Sequence, residues 1–176
     1  MRKLSMDELN RLNVSEFKKI EKIPLIVVLD NIRSLNNIGS VFRTSDAFRV
    51  ESVYLCGITA CPPHRDIHKT ALGATESVDW HYFSSTADAV NQLMEMQYEI
   101  VGIEQTDTSI SLTDFVPVRK TAIIFGNEVE GVDPEVLGSC NRNIEIPQEG
   151  TKHSLNISVC AGIVIWHLYT QFAKIL

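Results

Sequence analysis

Residues 141–176 read NRNIEIPQEGTKHSLNISVCAGIVIWHLYTQFAKIL. This stretch spells a short strand with Ile144 and Ile146 on one face, then a polar loop, then a long apolar helix. Pro147 stops the strand because it has no N–H to give a ladder. Gly150 is expected to permit a tight turn. Ser154, Leu155 and Asn156 arrive as the helix begins. From Leu155 to Leu168 apolar residues lie on nearly every side, so the helix is expected to be covered all round, by core or by a partner subunit. A polar loop feeding such a helix is a good place for a ligand.

The same grammar of strand, polar loop and helix recurs upstream. LIVVLD (25–30) is a continuous apolar run, the mark of a strand buried on both faces. The polar loop NIRSLNNIG follows, with Asn37 read as the N-cap of a helix over 38–48 whose inner face is Ile38, Val41, Phe42 and Phe48. Residues 52–56 make a second strand, and a short helical stretch to about 71 follows Pro62-Pro63. Residues 79–83 form a strand, and Ser85 caps a helix to about 97. Strands are read at 98–104 and 119–125, separated by a loop over 105–118. Asp133-Pro134 opens a short helix. At the N-terminus, Ser5-x-x-Glu8 is a capping box opening a helix over 6–20, held to the body by Leu9, Leu12 and Phe17. Such alternation implies a mainly parallel sheet with helices on both faces, an α/β fold. Ligands in these sheets bind beyond the carboxyl ends of strands. Three of those ends carry the polar loops 31–37, 126–133 and 147–154.

Bulk properties agree with one folded domain. The chain has 176 residues, 44% of them hydrophobic and 22% charged. No apolar leader opens it, and Cys160–Tyr169, interrupted by His167, is too short to span a bilayer. A cytoplasmic protein that does not enter the membrane is the expectation. Four cysteines do not suggest a disulfide framework. Cys56, Cys61, His64 and His68 have zinc-ligand chemistry, but Cys56 belongs to a buried strand and Pro62-Pro63 splits the group. Free thiols are therefore expected, and no metal. The net charge of −6 argues mildly against nucleic acid. Its distribution offsets this: residues 84–118 hold six acids and no Lys or Arg, whereas Arg33, Arg43, Arg49, Arg65, Lys69, Arg142 and Lys152 gather around the loops.

Common nucleotide and hydrolase motifs are missing. None of the nine glycines makes a G-x-G. Gly126-x4-Gly131 lacks the Lys-Ser/Thr of a P-loop, and there is no G-x-S-x-G or H-E-x-x-H. Three loops remain: Asn36-Asn37-Ile38-Gly39-x3-Arg43, Phe125-Gly126-Asn127-Glu128-x2-Gly131, and Ile146-Pro147-x2-Gly150-x3-Ser154-Leu155-Asn156-x-Ser158. Taken singly, each has an ordinary explanation: a solvated arginine, a plain Gly-Asn turn, a capping serine.

Together, NNIGSVFRTSDAF, IIFGNEVEGV and IEIPQEGTKHSLNISVCAGI resemble the three motifs of the SpoU (TrmH-like) branch of the SPOUT superfamily of RNA methyltransferases. The resemblance spans about residues 25–170. It implies a SPOUT domain over 23–176 preceded by a helical extension over 1–22, with a C-terminal trefoil knot. It implies a homodimer that uses S-adenosylmethionine to methylate a ribose 2′-hydroxyl of tRNA or rRNA. Arg43 matches the motif-one arginine thought to help activate the hydroxyl and contact phosphate, and Asn37 the asparagine that shapes the site. Glu128 matches the motif-two glutamate, and Ser154 and Asn156 the motif-three pair. Gly126 and Ile146 fall where the family's backbone grips the cofactor, Leu155 where a side chain covers adenosine, and Asn127 in the same cofactor loop. Gln105, at a strand end, is a further cofactor candidate. Gln148 replaces a methionine often seen after Ile-Pro.

The chemistry is coherent. A ribose hydroxyl is a poor nucleophile, whereas a sulfonium is a good leaving group and needs no metal. Arginine stays charged, so Arg43 suits charge stabilisation better than proton abstraction. His153 is a base candidate peculiar to this chain, against the plainer reading of a solvated loop histidine. Two rivals stand beside this reading: a module on the same fold that holds RNA or cofactor without turnover, and a SPOUT enzyme that methylates a base.

Overall fold

A computed structural model describes residues 1–5, 7–118 and 120–174. Its spine is β1 (Ile23–Asp30), flanked by β2 (Val50–Cys56) and β6 (Thr121–Phe125), with β3 (Asp79–Phe83), β4 (Glu99–Ile103), β5 (Ile110–Ser111) and β7 (Arg142–Glu145) outside them. The seven strands lie in the order β3-β2-β1-β6-β4-β7-β5, and every pairing is parallel. Val27 stands opposite Ile123, and Ile123 opposite Val101.

The unbroken apolar run of β1 reflects burial on both faces. Leu25, Val27 and Leu29 enter one core, against α2 (Leu35–Ala47), α3 (Arg65–Ala71), α4 (Ala74–Ser77) and α7 (Ile157–Phe172). Ile26 and Val28 enter the other, against α5 (Thr86–Glu95) and α6 (Pro134–Gly138). The mainly parallel α/β sheet with helices on both faces is thus present. The helices at 86 and 134 open as expected: Ser85 accepts from the Asp88 N–H, and Asp133 from the Glu135 N–H with Pro134 at the first turn.

Several local expectations are corrected. The expected helix over 6–20 begins at a residue outside those described. Over the remainder, a 3-10 turn at Asp7–Leu9 and α1 (Val14–Lys19) take its place. The box of Ser5 and Glu8 forms, but Asn13 and Glu16 build a second one that restarts the chain. Of the three residues expected to hold this region to the body, Phe17 is buried, whereas Leu9 and Leu12 are exposed. Helix α2 starts earlier than read, because Ser34 rather than Asn37 is its cap. That puts Asn37 inside the first turn, where its amide is free for another partner. The strand read over 119–125 starts at Thr121, residue 119 lying outside the described set. Gly150 sits in open space and is not among the positive-φ residues, so its turn does not require glycine.

Helix α7 is covered on one side only. Ala161, Val164, Ile165, Leu168 and Phe172 are buried, whereas Val159, Ile163 and Trp166 are 51%, 40% and 53% exposed. The apolar surround read in the sequence is therefore half core and half open surface within one chain. No helix among the described residues is long and apolar enough to cross a membrane.

Candidate functional site

Strands β1, β6, β4 and β7 are neighbours, so the loops after them open on one rim of the sheet. A cavity of about 570 Å³ lies there, within the roughly 300–1,000 Å³ typical of small-molecule sites. All five residues assigned to the cofactor, Gln105, Gly126, Asn127, Ile146 and Leu155, line it, together with Glu128, His153, Ser154 and Asn156.

One chain of hydrogen bonds ties the three loops. The backbone N–H groups of Arg33 and Ser34 each donate to the Glu128 carboxylate at 3.0 Å, and the Asn37 amide donates to it at 3.1 Å. The Asn37 carbonyl oxygen accepts from the Asn156 amide at 3.2 Å. Asn156 caps α7, its oxygen accepting from the Ser158 N–H at 2.9 Å and the Ser158 hydroxyl at 2.6 Å. Residues 91 and 119 positions apart in sequence thus share one network. Partial burial raises the Glu128 pKa, but the donors from Arg33, Ser34 and Asn37 outweigh it and hold the group below its ordinary value. Glu128 is therefore a carboxylate at neutral pH, already holding three donors at the N-terminus of α2, where negative charge is favoured.

The second loop is built to a close tolerance. Asn127 and Gly131 exchange backbone bonds of 2.9 Å each way. The Asn127 amide donates to the Asn31 carbonyl at 2.7 Å, and its oxygen accepts from the Val129 and Glu130 N–H groups. Asn127 lines the cavity, but its side chain is engaged by its own loop and by Asn31 of the first loop. A Cβ on Gly126 would lie 2.0 Å from the Gly131 carbonyl carbon, so only glycine lets the two arms meet. Gly131 has φ +73° with the Glu104 carboxylate against it, so glycine is needed there for backbone shape as well.

Glu104 was missed in the sequence. It lines the cavity, and its carboxylate accepts from the Gln105 N–H at 3.0 Å and the Val132 N–H at 3.1 Å. The signal was available, because Glu104 immediately follows a buried strand and precedes Gln105. Thr59 was missed too. Its buried hydroxyl donates to the Leu29 carbonyl and accepts from the Ile32 N–H, fixing the first loop from a connection 27 residues away.

The remaining assignments divide. Ser154 and His153 are exposed at the cavity wall. Arg43 is exposed on α2 and forms no ion pair with a described residue. Six residues after Asn37, it stands about 9 Å further along the helix axis and outside the Glu128 network. Cys160 lines the cavity, but burial pushes its thiol up to about 11, which keeps it protonated at neutral pH. Burial likewise raises Cys56 to about 12. Among the described residues, no group of three or more His, Cys, Asp or Glu side chains is arranged to hold a metal ion.

Comparison with known proteins gives the same picture. A 23S rRNA (guanosine-2′-O-)-methyltransferase, RlmB, from Nitrosomonas europaea is 31% identical over 150 residues, covering 85% of this chain and 57% of its own. The chain therefore spans little more than half the length of that relative. A TrmH/SpoU tRNA modifying enzyme from A. aeolicus superposes with a TM-score of 0.80 at 25% identity, covering 90% of this chain and 79% of that one. The SpoU methyltransferase AviRb from Streptomyces viridochromogenes, in complex with AdoMet, has the same fold, with a TM-score of 0.80 at 21% identity over 89% of this chain and 64% of its own. Residues 24–166 match the model of the SpoU rRNA Methylase family, and the chain belongs to that family.

Proposed function

We propose that this chain is an S-adenosylmethionine-dependent RNA methyltransferase that modifies a ribose 2′-hydroxyl of tRNA or rRNA. The observation that carries the reading is the Glu128–Asn37–Asn156 chain, which holds the ends of α2, the 126–131 loop and α7 around one cavity. The cavity suits the cofactor. Ile146, Leu155 and Ile157 offer apolar wall, while Gln105 and Glu104 offer polar groups for an amine or a ribose. When bound, S-adenosylmethionine supplies an electrophilic methyl group on a sulfonium that leaves readily.

The chain's own residues then have separable tasks. Glu128, Asn37 and Asn156 hold the loops at fixed spacing, the frame on which two reactants can be held in line, and such alignment of reactants can supply up to roughly 7–11 kcal/mol. Arg43, which forms no ion pair with a described residue, is free to hold the RNA phosphate and to steady negative charge growing on the 2′-oxygen. Ser154 offers a hydroxyl at the cavity wall, next to His153. Leu155 and the backbone of Gly126 and Ile146, all on the cavity wall, would hold the adenosine.

We further infer a homodimer. Val159, Ile163 and Trp166 recur at helical spacing on the open side of α7, and Trp166 lies 5.3 Å from the Phe48 ring and 5.9 Å from the Tyr169 ring. An apolar, aromatic surface of this kind is suited to a second copy. The interleaved strand order, with β6 between β1 and β4 and β7 between β4 and β5, supports a C-terminal trefoil knot. We assign residues 23–176 to the methyltransferase domain of a cytoplasmic enzyme, with the preceding residues as its N-terminal extension.

The test is transfer of labelled methyl from S-adenosylmethionine to tRNA or rRNA, followed by nuclease digestion and mass analysis. A 2′-O-methylated nucleoside is expected. Label on a base would favour base methylation. Cofactor binding without label in any RNA would favour a binding module.

A further inference from the structure

A second cavity, of about 590 Å³, lies between α3 and β3 and shares no lining residue with the first. Strand β3 is at the edge of the sheet, hydrogen-bonded only to β2. Trp80 of β3 and Pro63 supply flat apolar wall. Arg65 and Lys69 supply cations to the rim and His64 an imidazole, with Glu76 as one acid among them. Arg65 is exposed and unpaired among the described residues. Lys69 meets Asp66 at 2.5 Å, but both are exposed, and exposed pairs are weak enough for an anion to displace. The His64 Nδ1 accepts from the Asp66 N–H at 3.1 Å, so the neutral ring carries its proton on Nε2 as a donor.

A planar aromatic wall beside a guanidinium fits one kind of ligand best. Nucleotides present a ring that stacks on indole without regard to sequence, next to a phosphate that a guanidinium holds. We propose that this groove seats a nucleotide of the RNA substrate other than the methylated one, its base on Trp80 and its phosphate on Arg65. The proposal rests on the RNA reading given above. It also accounts for His64, Arg65 and Lys69, which that reading leaves without a task. On a chain of net charge −6, a local cationic groove is where RNA meets the least repulsion.

A uridine pentanucleotide titrated into the protein, with excess S-adenosylhomocysteine present, tests this through tryptophan fluorescence. A saturable change is expected in the parent and its loss in Trp80→Phe. Arg65→Glu, at an exposed position that leaves the fold intact by thermal melting, should weaken binding at least tenfold. In methyl transfer the same variant should raise KM for RNA at least fivefold with kcat within twofold. No saturable change in the parent, or equal affinity in Arg65→Glu, overturns the proposal. A saturable change that Arg65→Glu weakens, in a protein that methylates no RNA, keeps the groove and defeats the reading of the first cavity instead.

Discussion

Glu128 holds three donors, and that restricts what it can do. A carboxylate engaged by the Arg33 and Ser34 N–H groups and the Asn37 amide is a clasp on α2 more than a free base. Glu128→Ala should cost about 1 kcal/mol, at the low end for hydrogen bonds to a charged group because the carboxylate is exposed. In a chain of this length that is a fall of about 2–4 °C in melting temperature. The sign with pH follows from its depressed pKa: the contribution is complete above the usual glutamate value of 4.5 and fades as pH drops through the lower folded value. Melting curves of parent and variant should therefore converge in acid; a constant gap between pH 7 and pH 3 would contradict the clasp. Arg43 stands outside the network, so its loss should leave the cavity intact. Arg43→Ala should lower methyl transfer at least tenfold while cofactor affinity, measured by calorimetry, changes by less than twofold. Parent-like rates would remove Arg43 from the chemistry.

At the level of elements, the contact between α2 and α3 is the tightest test of packing. A Cβ on Gly39 would lie 2.1 Å from the Thr70 hydroxyl and 2.3 Å from the Ile67 carbonyl oxygen. The Thr70 hydroxyl also donates to the Asn36 carbonyl at 3.0 Å, so it is not free to swing away without loss. Gly39→Ala, which by propensity should favour the helix, is expected instead to cost about 1–3 kcal/mol through overpacking. Thermal unfolding decides between the two signs. The same contact sets where α2 begins to aim Asn37 at Glu128, so methyl transfer should fall with stability. The position also marks a limit of reading along the chain. Gly39 lies inside a motif, but its reason is a neighbour some thirty residues away.

For the whole molecule, the open side of α7 is an apolar surface that a single chain leaves bare. Val159, Ile163 and Trp166 expose apolar surface that one copy does not bury. If α7 pairs two copies as proposed, the parent should be a dimer by light scattering at micromolar concentration, and Ile163→Arg should make it a monomer and abolish methyl transfer. A parent protein that is already monomeric would refute the interface. The architecture itself was largely legible. β1 was readable because burial on both faces leaves an unbroken apolar run, and α5 and α6 because Ser85 and Asp133-Pro134 are local caps. The N-terminal helix was misread because the box at Ser5 is real but local, and nothing in its pattern reveals that Leu9 and Leu12 find no core. The class of fold and the three loops could be read along the chain, since each depends on residue type and spacing within a few turns, and the family through the resemblance of the three motifs. It took the packed chain to show that Glu128 grips α2, that Asn37 links it to Asn156, that Glu104 joins the cavity and that α7 is half bare. Those facts depend on the strand order β1-β6-β4-β7, which brings distant segments side by side through long-range packing that no local pattern encodes.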